Sequence, residues 1–311
     1  MSVSQETLVS ALSEVVDPVV NKRLGELKSI REVSIEGDTA KATVDLLSPA
    51  TGARDAIVKA LEEAAARVGV KRLELTVGSA VRTRQIAGDD PCPEVKNVIP
   101  VMSGKGGVGK STVAANLALA LLRSGARVGL LDADIYGPSV PTMLGIMGRP
   151  ISRDGKHIEP LERFGLKIMS IGFLLEDPRQ STTPQDVALM DVYKSVSMCQ
   201  KLNVPILGIV ENMSHFIDSA GVKHEIFGRG GGARIAEFAK APLLGQVPID
   251  SAVREWGDNG TPIVQAQPNS IPAMAFKEIA ERLADCVTRA VFDAHGGSAP
   301  VEGPKRLPIL R

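Results

Sequence analysis

Hydrophobic and polar residues divide the chain into two regions with different periodicity. Near the N-terminus, Leu8, Leu12 and Val15 lie at helical spacing, and residues 57–68 repeat apolar positions on one helical face. Residues 39–46 and 73–77 alternate apolar and polar side chains, which is typical of half-buried strands. This pattern predicts a small α+β domain.

From about residue 96 the pattern becomes that of a parallel sheet. Two short apolar runs, 98–102 and 128–131, are typical of strands buried on both faces. A helical pattern lies between them, and strand, helix, strand in this order predicts a βαβ unit. Further runs predict strands at 166–171, 206–210 and 243–247, and helices at 186–202, 233–240 and 271–292.

These patterns predict an α/β fold, with a mostly parallel, doubly wound P-loop sheet preceded by the small α+β domain. The expected boundaries are residues 1–82 for the first domain, 83–95 for a polar linker and 96–295 for the second domain. The glycine- and proline-rich residues 296–311 are expected to be a disordered tail.

A phosphate-binding motif lies between the first strand and helix of the second domain. Its glycines let successive backbone N–H groups point at phosphate oxygens, and the following helix adds its positive N-terminal end. The loop consists of Gly104, Lys105, Gly106, Gly107, Val108, Gly109, Lys110, Ser111 and Thr112. It matches the G-x-x-x-x-G-K-[ST] pattern, in which the lysine reaches the β- and γ-phosphates and the hydroxyl holds Mg²⁺. The competing interpretation is a glycine-rich loop with a solvated lysine.

Charged residues around this loop suggest catalysis. Lys105 gives the loop a second cation, which can neutralise charge during phosphoryl transfer. Asp132 and Asp134 follow the second strand, where a carboxylate can help to hold Mg²⁺ together with Ser111. Lys105, Lys110 and Asp134 are therefore the candidate catalytic residues, while turn or helix capping is the alternative role for both aspartates.

Composition excludes several classes of partner. The chain has 36 basic and 36 acidic residues and only 3% aromatic residues, so neither a nucleic-acid footprint nor a stacking platform is expected. No apolar run reaches the length of a membrane span, and the N-terminus lacks a signal-peptide pattern. Three widely spaced cysteines do not suggest a disulfide framework. We therefore expect a cytoplasmic protein.

The motif together with residues 132–139 resembles the Mrp/ApbC family of P-loop ATPases, which are similar to the partitioning ATPases MinD and ParA. The resemblance extends through 181–189, 204–214, 224–228 and 245–250, and residues 1–80 resemble the N-terminal domain often fused to such ATPases. It implies an iron–sulfur cluster carrier that binds ATP and Mg²⁺, hydrolyses ATP as a homodimer and serves apo iron–sulfur client proteins.

The same resemblance assigns roles to individual residues. Asn212 would hydrogen-bond the adenine, Pro248 to Asp250 would pack against it, and Lys105 would reach the phosphates of the partner subunit. An asparagine at the end of a strand suits base recognition, because its amide both donates and accepts hydrogen bonds. A turn or cap is the alternative role for Asn212.

The sequence departs from the family where cluster ligands are expected. Members usually carry a C-x-x-C pair after the asparagine motif, but residues 214–224 contain no cysteine, and Thr51 stands where the N-terminal domain often has one. Iron–sulfur clusters are normally held by thiolates. Cys199 is expected in the core. His215 and His224 could bind a metal ion, but two lone histidines are more often surface or capping residues. The cluster is thus implied by resemblance, but its ligands are not found.

A second departure is an apparent internal gap near residues 177–181. The family continues there through a helix, a strand ending in an aspartate switch and a further strand, whereas this chain passes directly to Ser181. The loss is roughly 50–60 residues, about two βα units. A natural deletion, a gene-model error and a degenerate copy all fit the sequence. Without the switch aspartate, we expect slow ATP hydrolysis.

Three functions therefore compete. The first is an ATP-hydrolysing iron–sulfur cluster carrier, and the second is a nucleotide-binding scaffold that has lost both cluster binding and hydrolysis. A partitioning ATPase is the third, but such proteins usually contact a membrane or DNA, and the sequence has neither a basic amphipathic C-terminal helix nor a basic face.

Overall fold

A computed structural model describes most of the chain and divides it into two compact units. The first comprises residues up to Val98 and those from Ala284 onward, and the second comprises Ile99–Leu283. The described residues are 3–37, 39–86, 90, 92–134, 137–154, 157–174, 190–201, 204–218 and 220–297.

The first unit packs two helices on a three-stranded sheet. Its elements are α1 (Gln5–Ser13), β1 (Val16–Asp17), β2 (Lys22–Arg23), β3 (Ile30–Glu36), β4 (Thr39–Leu46), α2 (Thr51–Arg67) and β5 (Arg72–Ser79). The sheet order is β3-β4-β5, with β4 antiparallel to β3 and parallel to β5. Alternate residues of β4 are buried, which confirms the strand predicted from its period of two.

Apolar side chains from both helices and the sheet form the core of this unit. Leu8, Leu12 and Leu61 are fully buried there, together with Ala40 and Val44 of β4. Ser4 caps α1 by accepting a hydrogen bond from the Thr7 N–H at 3.1 Å, which satisfies one of the free donors of the first turn. The helical spacing read from the sequence is thus confirmed.

The second unit contains the phosphate-binding motif and alternates helices with short strands. Its elements up to residue 201 are α3 (Lys110–Arg123), β6 (Gly129–Asp132), α4 (Val140–Met143), β7 (Leu161–Arg163), β8 (Leu166–Ser170), a 3₁₀ turn (Ile171–Phe173) and α5 (Met190–Lys201). The remaining elements are β9 (Ile209–Glu211), β10 (Phe216–Ile217), β11 (Lys223–His224), α6 (Gly231–Ala239), β12 (Leu243–Gln246), α7 (Ser251–Asp258) and α8 (Ile263–Ala266). The last helix, α9 (Ile271–Ala294), begins in this unit, and its residues from Ala284 onward belong to the first unit.

Two strand pairs of this unit are parallel, although the predicted pair of 98–102 with 128–131 does not form in the described chain. β6 pairs in parallel with β8, and β9 pairs in parallel with β12. Within the described residues, these pairs belong to two separate sheets, β6-β8-β7 and β12-β9. β10 and β11 form a small antiparallel hairpin. The unit is thus a mixed α/β structure with parallel pairing.

The first strand predicted for this domain is absent. Residues 98–102 form no strand in the described chain, and Val98 and Met102 are 60% and 61% exposed. Leu131 of β6, predicted to be buried on both faces, is 71% exposed. A buried parallel strand needs neighbours on each side and helices on both faces. Residues 98–102 pair with no strand within the described residues, and Val98 and Met102 remain largely in solvent, while Ile99 and Val101 are half-buried.

Most of the other predicted elements are confirmed with shifted ends. The strands at 166–171 and 243–247 and the helices at 233–240 and 271–292 correspond to β8, β12, α6 and α9. β9 is shorter than the predicted strand, and Cys199 of α5 is half-buried rather than in the core. Residues 175–189, with the junction near 177–181, and 298–311 of the predicted tail lie outside the described residues.

Candidate functional site

The phosphate-binding loop ends in a left-handed turn that starts α3. Gly107 and Gly109 have φ values of 73° and 78°, which residues with a Cβ rarely adopt. Gly109 is the N-cap of α3 and brings no side chain to the first turn. No side chain caps the first turn of α3, so its free N–H groups and positive end are available to bind an anion.

Two of the three candidate catalytic residues lie together. Lys110 is the first residue of α3, and its Nζ is 3.8 Å from Asp134 Oδ2. Both side chains are more than a third exposed, so the ion pair leaves them accessible to a ligand. Asp134 also accepts a hydrogen bond from the Gly137 N–H at 3.1 Å, which fixes its carboxylate beside the loop.

The remaining loop residues are partly exposed. Ser111 and Thr112 occupy the first turn of α3 and are half-buried. Lys105 is exposed, and its backbone N–H donates to Ser103 Oγ at 3.2 Å, while that hydroxyl donates to the Lys105 carbonyl at 3.1 Å. This bonding holds the backbone of the loop and leaves the Lys105 side chain in solvent.

Asp132 has the capping role that the sequence left open. It is buried and accepts hydrogen bonds from the backbone N–H of Asp134 at 3.1 Å and of Val140 at 3.3 Å. The hydroxyl of Ser170, which is fully buried, donates to its Oδ2 at 3.0 Å. Asp132 therefore ties the end of β6 to the start of α4 and to β8, and Asp134 is the aspartate that faces the loop.

Asn212 reaches the loop from 104 residues away in sequence. Its Nδ2 donates to the Val108 carbonyl at 2.9 Å. A Cβ added to Gly109 would overlap this Nδ2, so the glycine is needed for the approach as well as for its backbone conformation. The structure thus brings Asn212 to the phosphate-binding loop.

The segment after β12 lies beside the segment that carries Asn212. Ser214 donates its backbone N–H to the Val247 carbonyl at 3.0 Å, and Ile249 donates to the His215 carbonyl at 2.6 Å. Pro248 is buried, and Asp250 caps α7 by accepting from the Ala252 N–H at 2.8 Å.

Three polar residues that support this site were not predicted from the sequence. Asn116 of α3 is 1% exposed, donates to the Thr112 carbonyl at 2.9 Å and accepts from the Val264 N–H at 3.1 Å. Ser170 and Glu211 each follow or end a strand and bond to backbone N–H groups. A polar residue within or after an apolar run was the signal that could have revealed all three.

Candidate metal-binding side chains are scattered. Within the described residues, no group of three or more His, Cys, Asp and Glu is placed to hold a metal ion, and Cys92, Cys199 and Cys286 are free thiols. Burial lowers the pKa of His215, whose Nδ1 lies 2.8 Å from Ser214 Oγ. His224 Nε2 lies 2.7 Å from Asp218 Oδ2 and lowers the pKa of that carboxyl. The side chains of residues 214–224 do not provide the thiolates that iron–sulfur clusters normally require.

The helices of the described residues are too short or too polar for a membrane span. None of those in the described part of the chain combines the necessary length and hydropathy.

Two family models match the chain in different regions. The ParA model, described as NUBPL iron-transfer P-loop NTPase, matches residues 94–182 and 180–284. A model described as iron-sulfur cluster assembly protein matches residues 5–72. The P-loop match thus falls into two parts that meet at residues 180–182.

Similar proteins are called iron-sulfur cluster carrier protein. The one from Synechocystis sp. is 37% identical over 349 residues, covering 92% of this chain and 99% of the relative. The one from Deinococcus radiodurans is 35% identical over 361 residues, covering 98% and 99%. Both alignments are longer than the 311 residues of this chain, so the relatives carry residues without a counterpart here.

Solved structures also show similarity. A nucleotide-binding protein in complex with ADP from Archaeoglobus fulgidus has 32% identity and a TM-score of 0.43, covering 51% of this chain and 84% of that chain. The cell division ATPase MinD from Pyrococcus furiosus has 22% identity and a TM-score of 0.44, covering 59% and 96%.

A P-loop family model matches more than half of the chain, and relatives more than a third identical align along nearly all of it. The chain therefore belongs to the NUBPL iron-transfer P-loop NTPase family of the ParA type.

Proposed function

We propose that this protein binds ATP and acts in iron–sulfur cluster assembly as a cytoplasmic, homodimeric carrier for apo client proteins. The loop at the start of α3, with Lys110, Asp134 and Asn212 around it, is the observation that carries the proposal. The family membership and the names of the relatives support the cellular role. ATP is the ligand and an iron–sulfur cluster is the cargo.

The roles of the loop residues follow from their positions. Backbone N–H groups of residues 104–109 and the start of α3 cradle the phosphates, and Lys110 turns from Asp134 toward the β- and γ-oxygens. Ser111 and Asp134 offer the hard oxygen ligands that Mg²⁺ prefers. When bound, the ion neutralises charge that develops on the phosphates.

Replacing Lys110 with alanine tests nucleotide binding. A charged hydrogen bond contributes about 1.5–3 kcal/mol, so Lys110→Ala should weaken ATP binding by at least ~10-fold. Isothermal titration of the full chain measures this, with Lys277→Ala, an exposed lysine of α9, as the matched control. Equal ATP affinity in wild type and Lys110→Ala would overturn the proposed function.

Lys105 tests the homodimer. Its side chain is exposed at the loop, where it can reach the phosphates bound by a second copy. We expect a non-hydrolysable ATP analogue to shift the protein from monomer to dimer in sedimentation velocity, and Lys105→Ala to abolish the shift. A dimer that forms equally in Lys105→Ala contradicts this role.

A second candidate function is a nucleotide-binding scaffold without turnover. The break of the family match at residues 180–182 and the longer relatives favour it, because they support the loss of the segment with the switch aspartate. The two functions differ in one measurement. A chain that binds ATP at one per protomer and releases no phosphate above background is the scaffold, whereas slow but Lys110-dependent release supports the ATPase.

A further inference from the structure

Glu211 ends β9 immediately before Asn212, and both of its carboxylate oxygens are engaged. Oε1 accepts the Gly232 N–H at 2.9 Å, and Oε2 accepts Gln246 Nε2 at 2.6 Å. The Glu211 carbonyl accepts the Val247 N–H at 2.9 Å. The residue is thus held from α6 through one oxygen and from the end of β12 through the other.

The start of α6 is shaped around this carboxylate. Its N-cap is Gly230, which provides no side-chain cap, and no acidic residue lies in its first turn. Glu211 therefore supplies the negative charge and the acceptor that a helix N-terminus needs. A Cβ at Gly232 would lie 2.7 Å from the Glu211 Cβ, so only glycine permits this approach.

We infer that Glu211 is a positioning residue that holds Asn212 against the phosphate-binding loop and thereby sets the preference for adenine over guanine. This inference rests on the proposed function, ATP binding, and on the role in base recognition that the family resemblance implies for Asn212. One Nδ2 hydrogen is donated to the Val108 carbonyl, which holds the amide in one orientation; the second N–H stays available to the base, and so does Oδ1, which only accepts hydrogen bonds. The adenine amino group can donate to it, whereas the guanine carbonyl repels it.

The first test needs no nucleotide. In ¹⁵N spectra of the full chain, Asn212→Ala identifies the side-chain amide signals of Asn212 by their loss. We expect Glu211→Ala to move these signals toward a solvated amide, and Glu211→Gln to leave them near wild type, because its carbonyl still accepts from Gly232. Glu237→Ala, an exposed carboxylate of α6, is the control. Unmoved signals in Glu211→Ala would overturn the inference.

The second test compares ADP and GDP affinities by titration. Glu211→Ala and Asn212→Ala should each weaken ADP binding roughly 3- to 10-fold, with less effect on GDP, and the double variant should be no worse than Asn212→Ala. Losses that multiply, or that are equal for both nucleotides, would overturn the inference. If wild type binds neither nucleotide, the proposed function fails and the amide signals alone decide the role of Glu211.

Gly232→Ala covers the case in which Glu211→Ala does not fold. It retains the carboxylate but places a methyl group 2.7 Å from the Glu211 Cβ, which must displace the side chain or the helix end. We expect the same movement of the Asn212 amide signals and the same loss of adenine preference. Wild-type signals in a folded Gly232→Ala protein would count against the inference.

Discussion

At the scale of single residues, both backbone conformation and a close neighbour require glycine at position 109, whereas only backbone conformation requires it at position 107. Both have left-handed φ values, but a Cβ at Gly109 would overlap Asn212 Nδ2, whereas one at Gly107 has no atom within 4 Å. The left-handed backbone conformation by itself costs an alanine at either position about 1–2 kcal/mol. The difference between the two alanine variants therefore isolates the contact with Asn212.

We expect Gly109→Ala to lower the unfolding free energy of the nucleotide-free protein more than Gly107→Ala does, by at least about 1 kcal/mol. The reason is that Asn212 must give up its bond to Val108. Urea unfolding, followed by fluorescence of Trp256 in the same unit, provides the measurement. Equal destabilisation by the two substitutions would mean that Asn212 moves aside without cost.

At the scale of elements, the β10–β11 hairpin and its flanks occupy the segment where the family usually carries its cysteine pair. Asp218 bonds instead to His224 and to the backbone N–H groups of Ala220 and Val222, both at 2.9 Å. These bonds close the turn of the hairpin. Its side chains are ordinary turn-forming groups and include no thiolate.

We therefore expect that the isolated chain does not retain a stable iron–sulfur cluster. The measurement is anaerobic reconstitution, desalting, and analysis of iron and sulfide, with the Synechocystis relative as the comparison protein. A stoichiometric cluster that survives desalting would contradict this prediction. Ligands from a client protein or from another copy would then need to be sought.

At the scale of the whole molecule, the second unit leaves apolar side chains of its strand regions in solvent. Met102 and Leu131 are 61% and 71% exposed, and β6 and β9 belong to different sheets in the described chain. Burial of apolar surface contributes about 25 cal/mol per Å², so leaving about 400 Å² exposed to solvent costs about 10 kcal/mol. This is as much as the net stability of a typical domain.

We therefore predict a low melting temperature and little phosphate release for the chain as it stands. Inserting the roughly 50–60 residues that the sequence comparison with the family predicts to be missing near position 180, taken from the Synechocystis relative, should raise both. Calorimetry and phosphate assays on the two proteins make the comparison. A chain that melts above about 60 °C as a monomer and matches the relative in turnover would show that the gap affects neither stability nor ATP hydrolysis.

The sequence by itself determined the local elements and the loop chemistry. Periodicity located β4, β8, β12 and the main helices, because side-chain spacing follows directly from helix and strand geometry. The order of glycines, lysine and hydroxyl identified the phosphate-binding loop, because backbone conformation and phosphate contacts require those residue types at those positions.

Only the tertiary structure decided which polar residues meet. The hydrogen bond from Ser170 to Asp132, the contact of Asn212 with Val108 and the two hydrogen bonds that hold Glu211 join residues far apart in the chain. It also decided that Val98 and Met102 are exposed, although the composition of 98–102 is that of a buried strand. Burial depends on the neighbouring strands that pair with a segment, and the residues of the segment itself do not specify whether those neighbours are present.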